Sequence, residues 1–198
     1  MEDVTSEMVA RERELNSLYI VTVVVVLVIV TATFGSLIFA FMWRSQNGYL
    51  WGRLRIPSLL WVTTGILAAS SWMLERARSF MKAGNQNGFF RFVQWTTGLG
   101  CLFLIGQAAA WLQVTHSNVV LAQDKHSWFI FLFSGLHAIH ILAGLGGLAY
   151  LLYRAHEPAS GPRYQMTTRA YTNALAIFWH YLGFVWAVLF VLLLSWRR

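Results

Sequence analysis

Three histidines lie in long uncharged stretches of the chain, where a polar ring is costly: His137 and His140, three residues apart, and His180. Ionisable groups at membrane depth are functional candidates by default. Imidazole offers two kinds of chemistry there. It ligates a metal or a haem iron, or it hydrogen-bonds across helices and fixes how they meet. Residues three apart share one helical face. If the stretch around His137 and His140 descends from the outer surface, their rings lie about 16 and 20 Å down, and His180 lies about 15 Å up the next stretch from the other side. The three depths coincide, so the expectation is that they meet between two consecutive antiparallel helices. Trp179, Trp186 and Gln107 join them as candidates for an interhelical or lipid-binding pocket.

The donor set is poor for metal chemistry. No Cys, Asp or Glu shares these stretches with the histidines; Cys101, the single cysteine of the chain, lies in a different one. One cysteine excludes an intrachain disulfide and a thiolate cage. The expectation is therefore no catalytic residue, no cofactor and no metal in this chain. A self-contained haem-b electron carrier on His137, His140 or His180 stays open as a different class. The uncharged stretches hold no carboxylate, which speaks against a transporter or proton channel running through the chain. Glu75, next to Arg76 and Arg78, reads as part of an ion cluster at a helix end on the membrane surface.

The elements that hold these residues follow from charge spacing. The chain has 198 residues, 57% hydrophobic and 12% charged, about half the charge of a soluble domain. With 15 Lys+Arg against 8 Asp+Glu the formal charge is +7. These basic residues sit singly or in pairs between apolar runs, as loop charges do in a polytopic membrane protein, not as a nucleic-acid patch. Uncharged runs span Leu15 to Trp43, Ile56 to Leu74, Phe92 to Gln123, His126 to Tyr153 and Ala170 to Trp196. A membrane crossing needs about 20 residues. The fold class is all-α: a polytopic membrane protein, one domain over 1–198, with five transmembrane helices at about 18–43, 57–74, 92–112, 128–152 and 172–195. A soluble bundle would show a polar face at helical period; Val21 to Val30 has only Thr22. The run is also too long, and its leader too mixed in charge, for a cleaved signal peptide.

Nine basic residues (Arg11, Arg13, Arg76, Arg78, Lys82, Arg91, Arg154, Arg163, Arg169) fall on the side of the first segment and six (Arg44, Arg53, Arg55, Lys125, Arg197, Arg198) on the other. That asymmetry puts the N-terminus in the cytoplasm and the C-terminus outside. Trp43, Tyr49, Trp51, Trp128, Tyr153 and Trp196 mark the interfaces. Pro57 reads as the first residue of the second helix. His116, His126 and His156 read as loop residues. Small residues should carry the packing: Gly65, Ala68, Ala69, Ser70 and Ser71 on the second helix, Gly98, Gly100, Gly106 and Ala108 to Ala110 on the third, and the pair Ala143 and Gly147 on the fourth. The first helix, mostly Val, Leu, Ile and Phe, should face lipid or a large partner.

Several segments together carry a family resemblance. Ser134-Gly135-Leu136-His137-Ala138-Ile139-His140-Ile141-Leu142-Ala143-Gly144 resembles the T-G-F-H-G-L-H-V-x-x-G segment of subunit III of haem-copper terminal oxidases. Phe178 to Trp186, with Trp179-His180 and Trp186, is similar to that family's W-H-F-x-D-x-x-W. Gly100 to Gln107 matches its G-x-x-F-x-x-x-Q, and Ala69-Ser70-Ser71 its small-residue stretch. The order of segments resembles the five-helix bacterial form. The resemblance implies a non-catalytic accessory subunit of a cytochrome c or quinol oxidase in a bacterial inner membrane. Its partners would be catalytic subunit I, which carries the haem and copper, other oxidase subunits and membrane lipids, with no nucleic acid. Its role would be assembly, lipid binding and sustained turnover. An accessory subunit of a nitric oxide reductase shares the five-helix plan and stays open. Three acids of the family pattern are replaced: Thr31 and Thr33 stand near the first, Ala110 at the second and Gly183 at the third.

Overall fold

The computed structural model describes residues 2–46, 58–116, 127–156 and 162–195. Among them five helices form, α1 (Glu2–Gln46), α2 (Leu59–Lys82), α3 (Gln86–His116), α4 (Ser127–His156) and α5 (Pro162–Ser195), and no strand. Four segments are long and apolar enough to cross a membrane, Ala10–Arg44, Gln86–Gln113, Phe131–Arg154 and Tyr164–Ser195. The chain is a multi-pass membrane protein. The fifth helix, α2, has 24 residues, enough for about 36 Å. Its last turns carry Glu75, Arg76, Arg78 and Lys82, which dilutes its apolar character.

Every helix runs past its expected range at one end or both, α2 only at its C-terminal end and α5 only at its N-terminal end, because charge spacing finds the apolar core and not the helix end. α2 shows this best. Its buried positions are Leu60, Thr63, Leu67, Ser70, Leu74 and Ala77, alternately three and four apart. α3 buries Phe89, Val93, Thr96, Phe103, Gln107 and Ala110 on the same rhythm, with Gly100 completing it. Such a 3-4 spacing keeps one seam facing an antiparallel partner. The seam continues through Ala77, past the charges, and so does the helix. Glu75 therefore lies seven residues before the helix end at Lys82, and the expected helix-end cluster is corrected on this point. Pro57 lies outside the described residues.

The α2–α3 turn is built from three residues. Gly84 takes φ +73, open to glycine without strain. Its N–H donates to the Met81 carbonyl and that of Asn85 to the Phe80 carbonyl, 3.1 and 3.0 Å, which closes α2 in a Schellman motif. The Asn85 side chain then accepts from the Gly88 N–H at 2.9 Å and caps α3.

α4 and α5 are antiparallel. Added Cβ atoms at Gly144 and Gly147 would meet Trp179 and Leu175 within 3 Å. The small residues facing α5 are thus Gly144 and Gly147, not the expected Ala143 and Gly147; Ala143 is exposed. Gly65, Ala68, Ala69, Gly98, Ala108 and Ala109 are exposed as well, so small size on α2 and α3 does not mark the seam at those positions. α1 runs parallel to α5, held by the Thr31–Tyr181 hydroxyl hydrogen bond and the Tyr19–Tyr171 ring contact. It also touches α4 through Phe41 on Phe133. Only 11% of its apolar window is buried, so α1 is the peripheral helix of the bundle.

Candidate functional site

Two tryptophans of α5 organise the interior. Trp179 and Trp186 are 0% and 1% exposed, and they lie seven residues apart on one face. The Trp179 indole N–H donates to Ser70 Oγ at 3.1 Å. That of Trp186 donates to Thr64 Oγ1 at 3.0 Å. Gln107 Nε2 donates to Thr63 Oγ1 at 3.3 Å. All three acceptors are α2 hydroxyls, and each gives its own proton to a carbonyl of α2, Leu67, Leu60 and Leu60 respectively. This leaves the oxygen lone pairs for α5 and α3. A fourth link joins Trp111 Nε1 to Ser134 Oγ, α3 to α4, at 3.0 Å. Each such bond in a membrane interior contributes roughly 0.6 kcal/mol, at most about 1.7. The hydroxyl partners Thr63, Thr64 and Ser70 were not read from the sequence as bonding groups. Their signal was present: Thr63 and Ser70 lie on the 3-4 seam.

His137 lies among these rings, 1% exposed. It stacks on Trp186 with centroids 5.2 Å apart, and Phe103 and Phe34 meet its edges at 6.0 and 6.4 Å. Neither of its ring nitrogens has a hydrogen-bond partner. His140 is turned toward α1, its ring 5.6 Å from Phe34. Its Nδ1–H donates to the Leu136 carbonyl at 2.7 Å, which leaves Nε2 as the acceptor nitrogen. His180 is elsewhere. It is exposed on α5, with Nε2 3.5 Å from a Glu75 carboxylate oxygen.

The three histidines therefore do not converge. The angle around α5 decides it: Trp179 points into the core, so its neighbour His180 is swung about 100° away, toward α2. Glu75 accepts two hydrogen bonds from Arg78 Nη1, at 2.8 and 3.1 Å. Arg78 also reaches α5, where Asn173 Oδ1 accepts from Nε and Nη2 at 3.2 and 3.1 Å. Arg76 takes no part in this link. Its guanidinium lies over the Trp72 ring at 5.0 Å. Of the six candidates, Trp179, Trp186, Gln107 and His137 are fully packed interior groups, His140 borders α1, and His180 belongs to the Glu75–Arg78–Asn173 bridge. His126 lies outside the described residues, as do residues 47–57 and 157–161; His116 and His156, expected in loops, fall at the ends of α3 and α4.

Packed aromatic rings cover His137, and the only histidine nitrogen of this interior left toward α1 is Nε2 of His140, whose Nδ1–H is given to its own helix. Among the described residues no group of three His, Cys, Asp or Glu side chains could hold a metal ion. Of the residues singled out by the replaced acids of the resemblance, Thr31, near the first, meets Tyr181; Ala110 is buried, and a side chain at Gly183 would meet Ser71. Of the four interior links, Trp179 to Ser70 joins two of the segments that carry the resemblance, and each of the other three has one end in such a segment.

Cytochrome c oxidase subunit 3 of Corynebacterium diphtheriae is 28% identical over 138 residues, 70% of this chain and 65% of that protein. The subunit 3 of Synechocystis is 25% identical over 131 residues, 66% and 54%. The probable subunit 3 of Mycobacterium tuberculosis is 25% identical over 163 residues, 80% and 78%. The chain is a relative of cytochrome c oxidase subunit 3. It spans about half the length of the Synechocystis subunit 3 and about two thirds of the Corynebacterium one. No family model matches the chain. The subunit 3 relatives named here all carry the oxidase name, and none of them favours the nitric oxide reductase alternative.

Proposed function

We propose that the chain is a non-catalytic subunit III of a respiratory haem-copper oxidase. It docks on a catalytic subunit I that carries the haem and copper, supports assembly, and sustains turnover by holding lipid against the complex. The relatives named cytochrome c oxidase subunit 3, matched over most of this chain, carry the reading. The packed interior is in keeping with it: Trp179, Trp186 and Gln107 donate to the Ser70, Thr64 and Thr63 hydroxyls and tie α5 and α3 to α2. We place it in a bacterial inner membrane, with the N-terminus in the cytoplasm on the nine-to-six basic asymmetry. Lipid contact falls to the outer surfaces, His180 and the bare side of α1 among them, because Trp179 and Trp186 fill the interior. Purification of the tagged chain in mild detergent tests the reading. A haem- and copper-containing catalytic chain of an oxygen-reducing oxidase should accompany it. Recovery of the chain alone with a Soret band of its own, or with a nitric oxide reductase, refutes it.

A further inference from the structure

At the end of the bundle where α2 turns into α3, a cavity of about 370 Å³ opens between α1, α2 and α5. Its polar lining comes from all three helices: Glu12, Arg13 and Asn16 on α1, Lys82 on α2, Arg169 and Asn173 on α5. Three cations face one carboxylate. Among the described residues, Arg13, Lys82 and Arg169 take part in neither of the ion pairs, both of which belong to Glu75. Asn173 adds to the same polarity. Arg78 is a pure donor, so the two bonds it sends to Asn173 engage the amide oxygen. What Asn173 has left for the cavity is its NH₂ donor. The space is thus lined by donors and positive charge, at the level where the apolar positions of α1 begin with Leu18 and Val21, 59% and 60% exposed.

We propose that this cavity binds a phosphate group, with Arg13, Lys82 and Arg169 as its charge partners and Asn173 as a neutral donor. Basic pockets between membrane helices suit phosphate head groups, and guanidinium pairs with phosphate through two parallel N–H bonds. Glu12 accepts from a hydroxyl or amine on the same ligand. The site lies apart from the tryptophan core and does not depend on which catalytic chain the protein joins. Two sources supply the chemistry: the head group of an anionic phospholipid, seated with its chains along Leu18 and Val21, or free phosphate from the aqueous side.

The test uses the full chain in mild detergent, with binding of dioctanoyl phosphatidylglycerol, dioctanoyl phosphatidylcholine and inorganic phosphate measured by native mass spectrometry and calorimetry. Phosphatidylglycerol binding that falls about fivefold for each of Arg13→Gln, Lys82→Gln and Arg169→Gln supports the site with a lipid source. Binding of inorganic phosphate with the same three losses supports it with a soluble source. All three positions are exposed, and Arg91→Gln, an equal charge change on exposed α3 surface away from the cavity, serves as the folding and charge control. The proposal is overturned if phosphatidylcholine binds as well as phosphatidylglycerol and phosphate does not bind, or if Arg91→Gln weakens binding as much as the three cavity variants.

Discussion

Gly144 and Gly146 of α4 are two residues apart and differ in one respect only, what a methyl group would meet. At Gly144 an added Cβ lies 2.9 Å from both Cε3 and Cζ3 of Trp179 and 3.5 Å from Phe178. At Gly146 nothing lies within 4 Å. Ordinary contact begins near 3.4 Å, so Gly144→Ala needs a movement of about half an ångström. Trp179 cannot supply it. Its N–H is held by Ser70 at 3.1 Å, and its far edge already crowds Gly100, where an added Cβ would sit 2.9 Å from Cη2. Overpacking of this kind costs about 1–3 kcal/mol. Both substitutions share the same backbone gain of roughly 0.5–1 kcal/mol for replacing a helical glycine. Gly146→Ala should therefore stabilise slightly, and Gly144→Ala should fall below it by about 1–3 kcal/mol. Thermal unfolding of the chain in detergent, followed by tryptophan fluorescence, should separate the two midpoints by roughly 2–12 °C. Equal midpoints, or a lower one for Gly146→Ala, would show that the glycine face of α4 is not packed on Trp179 as described.

His137 carries two buried nitrogens without partners, so His137→Leu should keep the protein folded and leave its unfolding midpoint unchanged or higher; a loss above about 2 kcal/mol would mean that the ring makes a bond essential to the bundle. Glu75→Gln leaves Arg78 its two bonds to Asn173, and the lost pair is half exposed, so stability should change by less than about 1 kcal/mol and turnover of an assembled oxidase should stay near normal. A tenfold loss of turnover with normal assembly would make Glu75 a participant in proton movement. Cys101 is exposed on α3 within the apolar segment Gln86–Gln113; a membrane-impermeant maleimide should leave it unmodified in intact membranes and label it after denaturation in SDS.

The five helices were legible because charge is excluded from a membrane core, and five uncharged runs allow little else. Their ends were not legible by the same rule. Glu75 closes an uncharged run but not a helix, because Arg78 and His180 partner it and the Leu74–Ala77 seam carries on. Trp179 and Trp186 were singled out in the sequence, yet their hydrogen-bond partners are hydroxyls on α2, a helix with which they share no sequence neighbourhood. The histidines show the limit of depth arguments. Height along a helix follows from counting residues, whereas direction follows from which neighbour is buried. Trp179 claims the interior face of α5 and turns His180 outward. The 3-4 spacing of Leu60, Thr63, Leu67, Ser70, Leu74 and Ala77 was available to be read and would have placed α2 against α3.

The peripheral seat of α1 sets a timetable for biogenesis. The Thr31 hydroxyl waits for Tyr181, made 150 residues later. At about 5–20 residues per second the first helix stands in the bilayer for roughly 8–30 s before the helix that holds it exists. Its sequence suits that interval. Thr22, Thr31 and Thr33 each donate to the carbonyl four residues back, those of Leu18, Leu27 and Ile29, so no polar group of theirs is left open to hydrocarbon. The helix is complete on its own, and it joins the bundle by capture rather than by cooperative folding.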